Sequence, residues 1–215
     1  MKYDAIFFDL DGTVVDSLQD IVDAVNHTMR HFHLPEHTPQ ALKPHLGWGV
    51  GHLMRAILPD HTDAQVEEVL DHYRPYYARH AGDKTCPFPG VLPMMARLKA
   101  DGLALGILSN KPDAAVQRLV AEFFPGLFNA VAGERDGVRR KPAPDTVNEV
   151  MSALGVTPDE CVYVGDSEVD VETAANAKTA CVCVSWGYRS AAALKAAGAK
   201  AIVDTTEQLA DTLLN

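Results

Sequence analysis

From Pro87 to the C-terminus, short apolar runs alternate with amphipathic stretches, and no feature limits the fold more than this alternation. Helical spacing covers 91–101, 113–122, 145–154, 168–177, 190–197 and 206–214. Between them fall apolar runs at 103–108, 161–165, 180–184 and 200–203, with a weaker one at 129–132. Strand and helix in strict turn predict a parallel sheet with helices on both faces. One more strand, Asp4 to Asp9, stands far upstream. Between Asp9 and Leu103 lie more than ninety residues, where a dozen or two would complete a crossover.

That surplus reads as helix. Leu18, Ile21, Val22, Val25 and Met29 follow three- and four-residue spacing, and further helices are expected near 38–44, 50–58 and 63–80. Ser17 and Asp20 fit a capping box at the start of the first. All nine histidines lie between His27 and His80, so the segment also differs in composition. The expected organisation is an α/β, Rossmann-like core from residues 1–14 and 84–215, with an all-α cap, 15–83, inserted after the first strand. Two tethers, near 13–17 and 82–89, would let the cap hinge over the sheet edge.

Net charge is −10, which argues against a nucleic-acid backbone as partner. No run reaches the roughly 18–20 apolar residues of a membrane helix, and Met1-Lys2-Tyr3-Asp4 does not open a signal peptide. A cytoplasmic monomer or dimer with no membrane partner is expected. Cys86, Cys161, Cys181 and Cys183 show no zinc spacing and read as reduced thiols.

The acids carry the chemistry. In Asp9-Leu10-Asp11-Gly12-Thr13, two carboxylates point the same way about 6.6 Å apart at a strand's end. Asp166 and Asp170 follow another strand. Ser109-Asn110-Lys111 follows a third, and Lys141 precedes a helix. A parallel sheet brings such ends to one edge. N-capping accounts for any single one of these groups, but not for all of them together. Four clustered carboxylates facing one lysine require a cation, and an all-oxygen donor set favours Mg²⁺ over Zn²⁺. Carboxylates, a hydroxyl, a lysine and Mg²⁺ together suit phosphoryl transfer.

The stretch Phe7 to Ser17 resembles the first motif of the haloacid dehalogenase-like (HAD) hydrolases. Ser109, Lys141, and Gly165-Asp166-Ser167 through Asp170 are similar to the remaining three motifs. Pro87-Phe88-Pro89-Gly90-Val91, Leu108-Ser109-Asn110-Lys111-Pro112, Arg140 to Asp145 and Trp186-Gly187-Tyr188-Arg189 resemble the phosphoglycolate phosphatase branch, which carries a helical cap. The resemblance implies a phosphatase for a small phosphorylated metabolite, with 2-phosphoglycolate the first guess. Asp9 would be the nucleophile and Asp11 the general acid and base. Asp9, the Asp11 carbonyl, Asp166 and Asp170 would serve the metal. Thr13, Ser109, Asn110 and Lys141 would serve the phosphoryl group. Pyrophosphate, sugar phosphates, nucleotides and a phosphomutase reaction are the alternatives.

Gly47-Trp48-Gly49 is expected to enter the site from the cap and read the leaving group. Lys43, Arg55 and Lys111 are candidate contacts for a substrate carboxylate. His27, His31, His33 and His37 read as surface or packing residues rather than ligands, and Tyr73, Tyr76 and Tyr77 as packing. In Arg139-Arg140-Lys141 only Lys141 is given a role.

Overall fold

The computed structural model describes residues 3–215; Met1 and Lys2, counted with the core above, lie outside the described residues. The first strand, β1 (Ala5–Phe8), is buried along its whole length. It pairs in parallel with β4 (Ala104–Pro112) on one side and β6 (Cys161–Gly165) on the other. With β5 (Ala130–Glu134), β7 (Ala180–Val184) and β8 (Ile202–Val203), the parallel order is β5-β4-β1-β6-β7-β8.

Strand alternation sends side chains to two cores. Ile6 and Phe8 pack with helices α5 (Val91–Ala100), α6 (Asp113–Phe123) and α10 (Thr206–Leu214). Ala5 and Phe7 pack on the other face with α7 (Asp145–Leu154) and α8 (Glu168–Ala177). The short α9 (Ala191–Ala196) follows β7. Both faces of β1 are covered, which is why it reads as an unbroken apolar run.

The surplus between β1 and β4 folds around a third core. It holds α1 (Leu18–His31), the short α2 (Pro39–Leu42), α3 (Val50–Ile57) and α4 (Asp63–His80). Ile21, Val25, Met29, Leu53, Met54, Val66 and Leu70 are among its buried residues. The segment near 38–44 is thus one short helix followed by a 3-10 turn, Lys43–His45, because Pro44 interrupts it.

The two tethers are not free linkers. Val15–Asp16 (β2) and Cys86–Pro87 (β3) pair antiparallel, so the chain leaves and returns through one ribbon. Asp20 reinforces it. The capping box expected at Ser17 and Asp20 does not form, because Asp20 turns to accept the backbone N–H groups of Lys84 and Thr85 and the Thr85 hydroxyl. Two long-range N–H donors and a hydroxyl outcompete the local cap.

Candidate active site

β1 ends in the loop that carries Asp9 and Asp11. β6 leads into Asp166, and the first turn of α8 supplies Asp170. β4 runs further than its apolar run, to Pro112, with a register shift after Leu108, and so carries Ser109, Asn110 and Lys111 within the strand. These parallel strands end on one side, and the candidate side chains converge there.

Asp9, Asp166 and Asp170 are buried, with carboxylate oxygens within 4.8 Å of one another. Lys141 lies among them. Its Nζ donates to Asp9 Oδ1 at 2.9 Å, to Asp170 Oδ1 at 2.8 Å and to the Tyr163 hydroxyl at 3.0 Å. Tyr163 donates in turn to the Leu108 carbonyl, which orients it. Periodicity assigns Tyr163 only to a buried strand, so its role was invisible before the strands were paired.

Asp170 is committed: the N–H of Asp166 and the N–H and hydroxyl of Ser167 all donate to its Oδ2. Asp166 accepts from the Thr13 hydroxyl and the Tyr188 N–H. Thr13 therefore braces a carboxylate. Asp9 Oδ1 is held by Lys141 alone, and Oδ2 has no hydrogen bond among the described residues.

One ammonium does not neutralise three carboxylates. Burial, opposed by Lys141 and assisted by the Asp170 charge, pushes the Asp9 carboxyl up to about 7. Burial and the charges of Asp170 and Asp9 push Asp166 well above the usual carboxylate range. Although burial works against it, the charges of Asp170 and Asp9 raise the Lys141 ammonium well above its ordinary value. Unmet negative charge on a compact all-oxygen set fits a hard divalent cation. Among the described residues this is the one cluster able to hold a metal. His27 and His31 instead stack on His72, at 5.4 and 3.9 Å between ring centres.

The Asp11 carboxylate stands outside that triad and faces a cavity of about 300 Å³ between the helical insert and the sheet edge. Lys111 Nζ and the Ser17 hydroxyl both donate to its Oδ1, at 2.6 and 2.5 Å. Ser109 lines the same cavity, its Oγ accepting the Lys111 N–H. Asn110 also borders it, yet its amide is spent on backbone: it donates to the carbonyls of Gly47 and Lys141 and accepts the Lys141 N–H. It ties insert to core, whereas a phosphate contact was expected of it.

Gly47 and Gly49 border the cavity with φ of 95° and 87°, a region that favours glycine. Trp48 does not border it. Its indole N–H donates to Glu168 Oε1 at 2.9 Å, so the positive φ values on either side turn the ring to the core surface rather than inward. Lys43 and Arg55 are also absent from the lining; Arg55 pairs with exposed Asp63. Tyr73 and Tyr77, read above as packing, are buried and line the cavity, while Tyr76 stacks on His27. Arg74 and Arg118 line it as well, and no motif had singled them out.

The family model described as haloacid dehalogenase-like hydrolase matches residues 6–184. Phosphoglycolate phosphatase of Chromobacterium violaceum is 32% identical, over 98% of this chain and 96% of its own. That of Rhodospirillum rubrum is 33% identical, over 97% and 90%. A crystal structure of a Lactobacillus delbrueckii subsp. bulgaricus protein is 40% identical, covers 99% of both chains and superposes with a TM-score of 0.96.

Proposed function

Because the chain belongs to the haloacid dehalogenase-like hydrolases, as a phosphatase of phosphomonoesters, we propose that it works through an aspartyl-phosphate on Asp9 with Mg²⁺ as cofactor. The observation that carries this reading is the pairing of two unlike carboxylates. Asp9 is oriented by Lys141 and keeps one oxygen uncommitted, and Asp11 stands beside it on the cavity side.

The steps follow from those positions. A carboxylate oxygen of Asp9 attacks phosphorus, forming an Asp9–phosphorus bond as the bond to the leaving oxygen breaks. Asp11 gives that oxygen its proton. A water then attacks phosphorus, Asp11 takes its proton, the bond to Asp9 breaks and inorganic phosphate leaves. Both hydrogen bonds to Asp11 fall on Oδ1, which leaves Oδ2 as the oxygen free to exchange a proton with the leaving group or the water. Ser109 has a hydroxyl hydrogen to give to a phosphoryl oxygen, and Lys141 brings the positive charge nearest to Asp9. Asp9, Asp166 and Asp170, with the Asp11 carbonyl, would hold Mg²⁺, which when bound offsets the phosphoryl charge and polarises phosphorus.

The helical insert serves as the cap, excluding bulk water from the cavity. The relatives' names make 2-phosphoglycolate the reference compound. The test is phosphate release with Mg²⁺ from a panel of phosphomonoesters, followed by acid quench and mapping of a phosphorylated peptide. Release together with a phosphoryl group on Asp9 is expected. A folded chain that releases phosphate from no ester overturns the reading.

A further inference from the structure

The cavity has a polar floor and apolar walls. Asp9, Asp11 and Ser109 form the floor. The walls above come from Ile21 of α1, Val50 and Leu53 of α3, Tyr73 and Tyr77 of α4, and Ala115 of α6. The Tyr73 and Tyr77 rings stack at 5.2 Å with 19° between their planes, so they act as one aromatic panel. Burial raises both phenols well above their ordinary values and keeps them neutral.

Two of the three Lys and Arg side chains of the lining are paired with carboxylates. Lys111 donates to Asp11 and sits 5.1 Å over the centre of the Tyr77 ring. Arg74 pairs with Glu67 and Asp71, and Arg118 donates to the Ala78 carbonyl. A leaving group bearing its own carboxylate would find only Arg118 without an anionic partner, and would leave the apolar walls without complement. An alkyl or aryl body would instead lose its water against those walls.

Resting on the phosphatase reading above, we infer that the site prefers phosphomonoesters of apolar or aromatic alcohols to those of a short hydroxy acid. This narrows the leaving group away from 2-phosphoglycolate. The phosphoryl chemistry is unchanged; the cap walls select what is attached to it.

The test is a homologous series in which leaving-group reactivity hardly varies: methyl, ethyl, butyl, hexyl and benzyl phosphate, against 2-phosphoglycolate, with Mg²⁺. Burying each added methylene is expected to raise kcat/KM about fourfold until the cavity is filled. Benzyl phosphate is expected to exceed 2-phosphoglycolate by about tenfold or more, as a largely buried ring would. A flat series, or 2-phosphoglycolate preferred, overturns the inference and leaves the phosphatase standing. Silence on every compound overturns the phosphatase reading itself.

Two variants separate wall from floor. Val50→Asn is expected to lower the ratio of benzyl to methyl phosphate kcat/KM by about tenfold, by setting an amide in the apolar wall. Ala115→Leu fills the cavity and is expected to bring the plateau to a shorter chain. If both variants fold and keep the wild-type profile, the walls do not contact the leaving group and the inference fails.

Discussion

Arg189 grips Glu168 through two nitrogens, Nε to Oε2 at 2.7 Å and Nη2 to Oε1 at 2.9 Å. The same guanidinium donates to three carbonyls of the insert: Lys43 at 2.5 Å, Pro44 at 3.0 Å and Leu46 at 2.9 Å. Trp48 donates to Glu168 from the insert side. Against the effect of burial, these hydrogen bonds hold the Glu168 carboxyl below its ordinary value. Glu168 lies two residues from both Asp166 and Asp170. One clip thus joins the segment that carries Asp166 and Asp170 to the helical insert.

Arg189→Ala cuts that clip. Losing several hydrogen bonds to a charged donor is expected to raise KM for the preferred ester about tenfold with little change in kcat. Arg189→Lys is expected not to restore it, because an ammonium cannot bridge a carboxylate and three carbonyls as a planar fork does. Steady-state kinetics decide the matter; a wild-type KM in the alanine variant would show that the clip does not position the helical insert.

Asp9→Asn removes the proposed nucleophile and keeps its shape. Turnover is expected to fall by at least about 10⁴-fold. The fold should survive, since the change also relieves repulsion among three buried carboxylates. A melting temperature at or above that of wild type, measured without Mg²⁺, is the expected companion result. Activity within tenfold of wild type would remove Asp9 from the role proposed for it.

Chelation should silence turnover, and added Mg²⁺ should restore it. A measurement independent of activity is thermal stability. At about a hundred times its Kd a ligand of the folded state adds about 2.7 kcal/mol, which raises Tm by several degrees. Asp166→Asn is expected to abolish that rise. Wild-type protein whose Tm ignores Mg²⁺ would not hold the metal at this triad.

His27 and His72 link pH to the stability of the insert. Burial lowers both, with the charges of His72, Arg30, His31 and His80 adding at His27 and that of His31 at His72. A depressed histidine binds fewer protons folded than unfolded, so its contribution is full above about pH 6.5 and is lost on acidification from there. With Mg²⁺ saturating, to hold the acids ionised, Tm should fall between about pH 7.5 and 5.5. A chain carrying His27→Gln and His72→Gln should lose less. Equal losses in the two proteins would clear these rings of any part in it.

Legibility in the sequence followed the range of the interaction. Asp9 and Asp11 could be placed at one strand's end because the apolar run stops at Phe8, although both fall in the loop after β1 and Asp11 stands apart from the buried triad. The alternation after Pro87 announced the parallel sheet for the same reason: burial on both faces writes apolar runs. Ser17 and Asp20 misled, because a local cap and a long-range hydrogen bond use the same side chains and the sequence does not rank them. Trp48 misled similarly, since glycine neighbours signal a turn without saying which way the indole faces.

The sequence alone thus determined the inventory of acids, the strand ends that bear them and the helical excess after β1. Those are properties of short segments, set by periodicity and turn chemistry. Tertiary structure alone decided that Tyr163 steadies Lys141, that Arg189 joins insert to core, and that Tyr73 and Tyr77 wall the cavity. Each of these joins groups from separate elements, and only the packing of the insert against the sheet edge brings them within a few ångströms of each other.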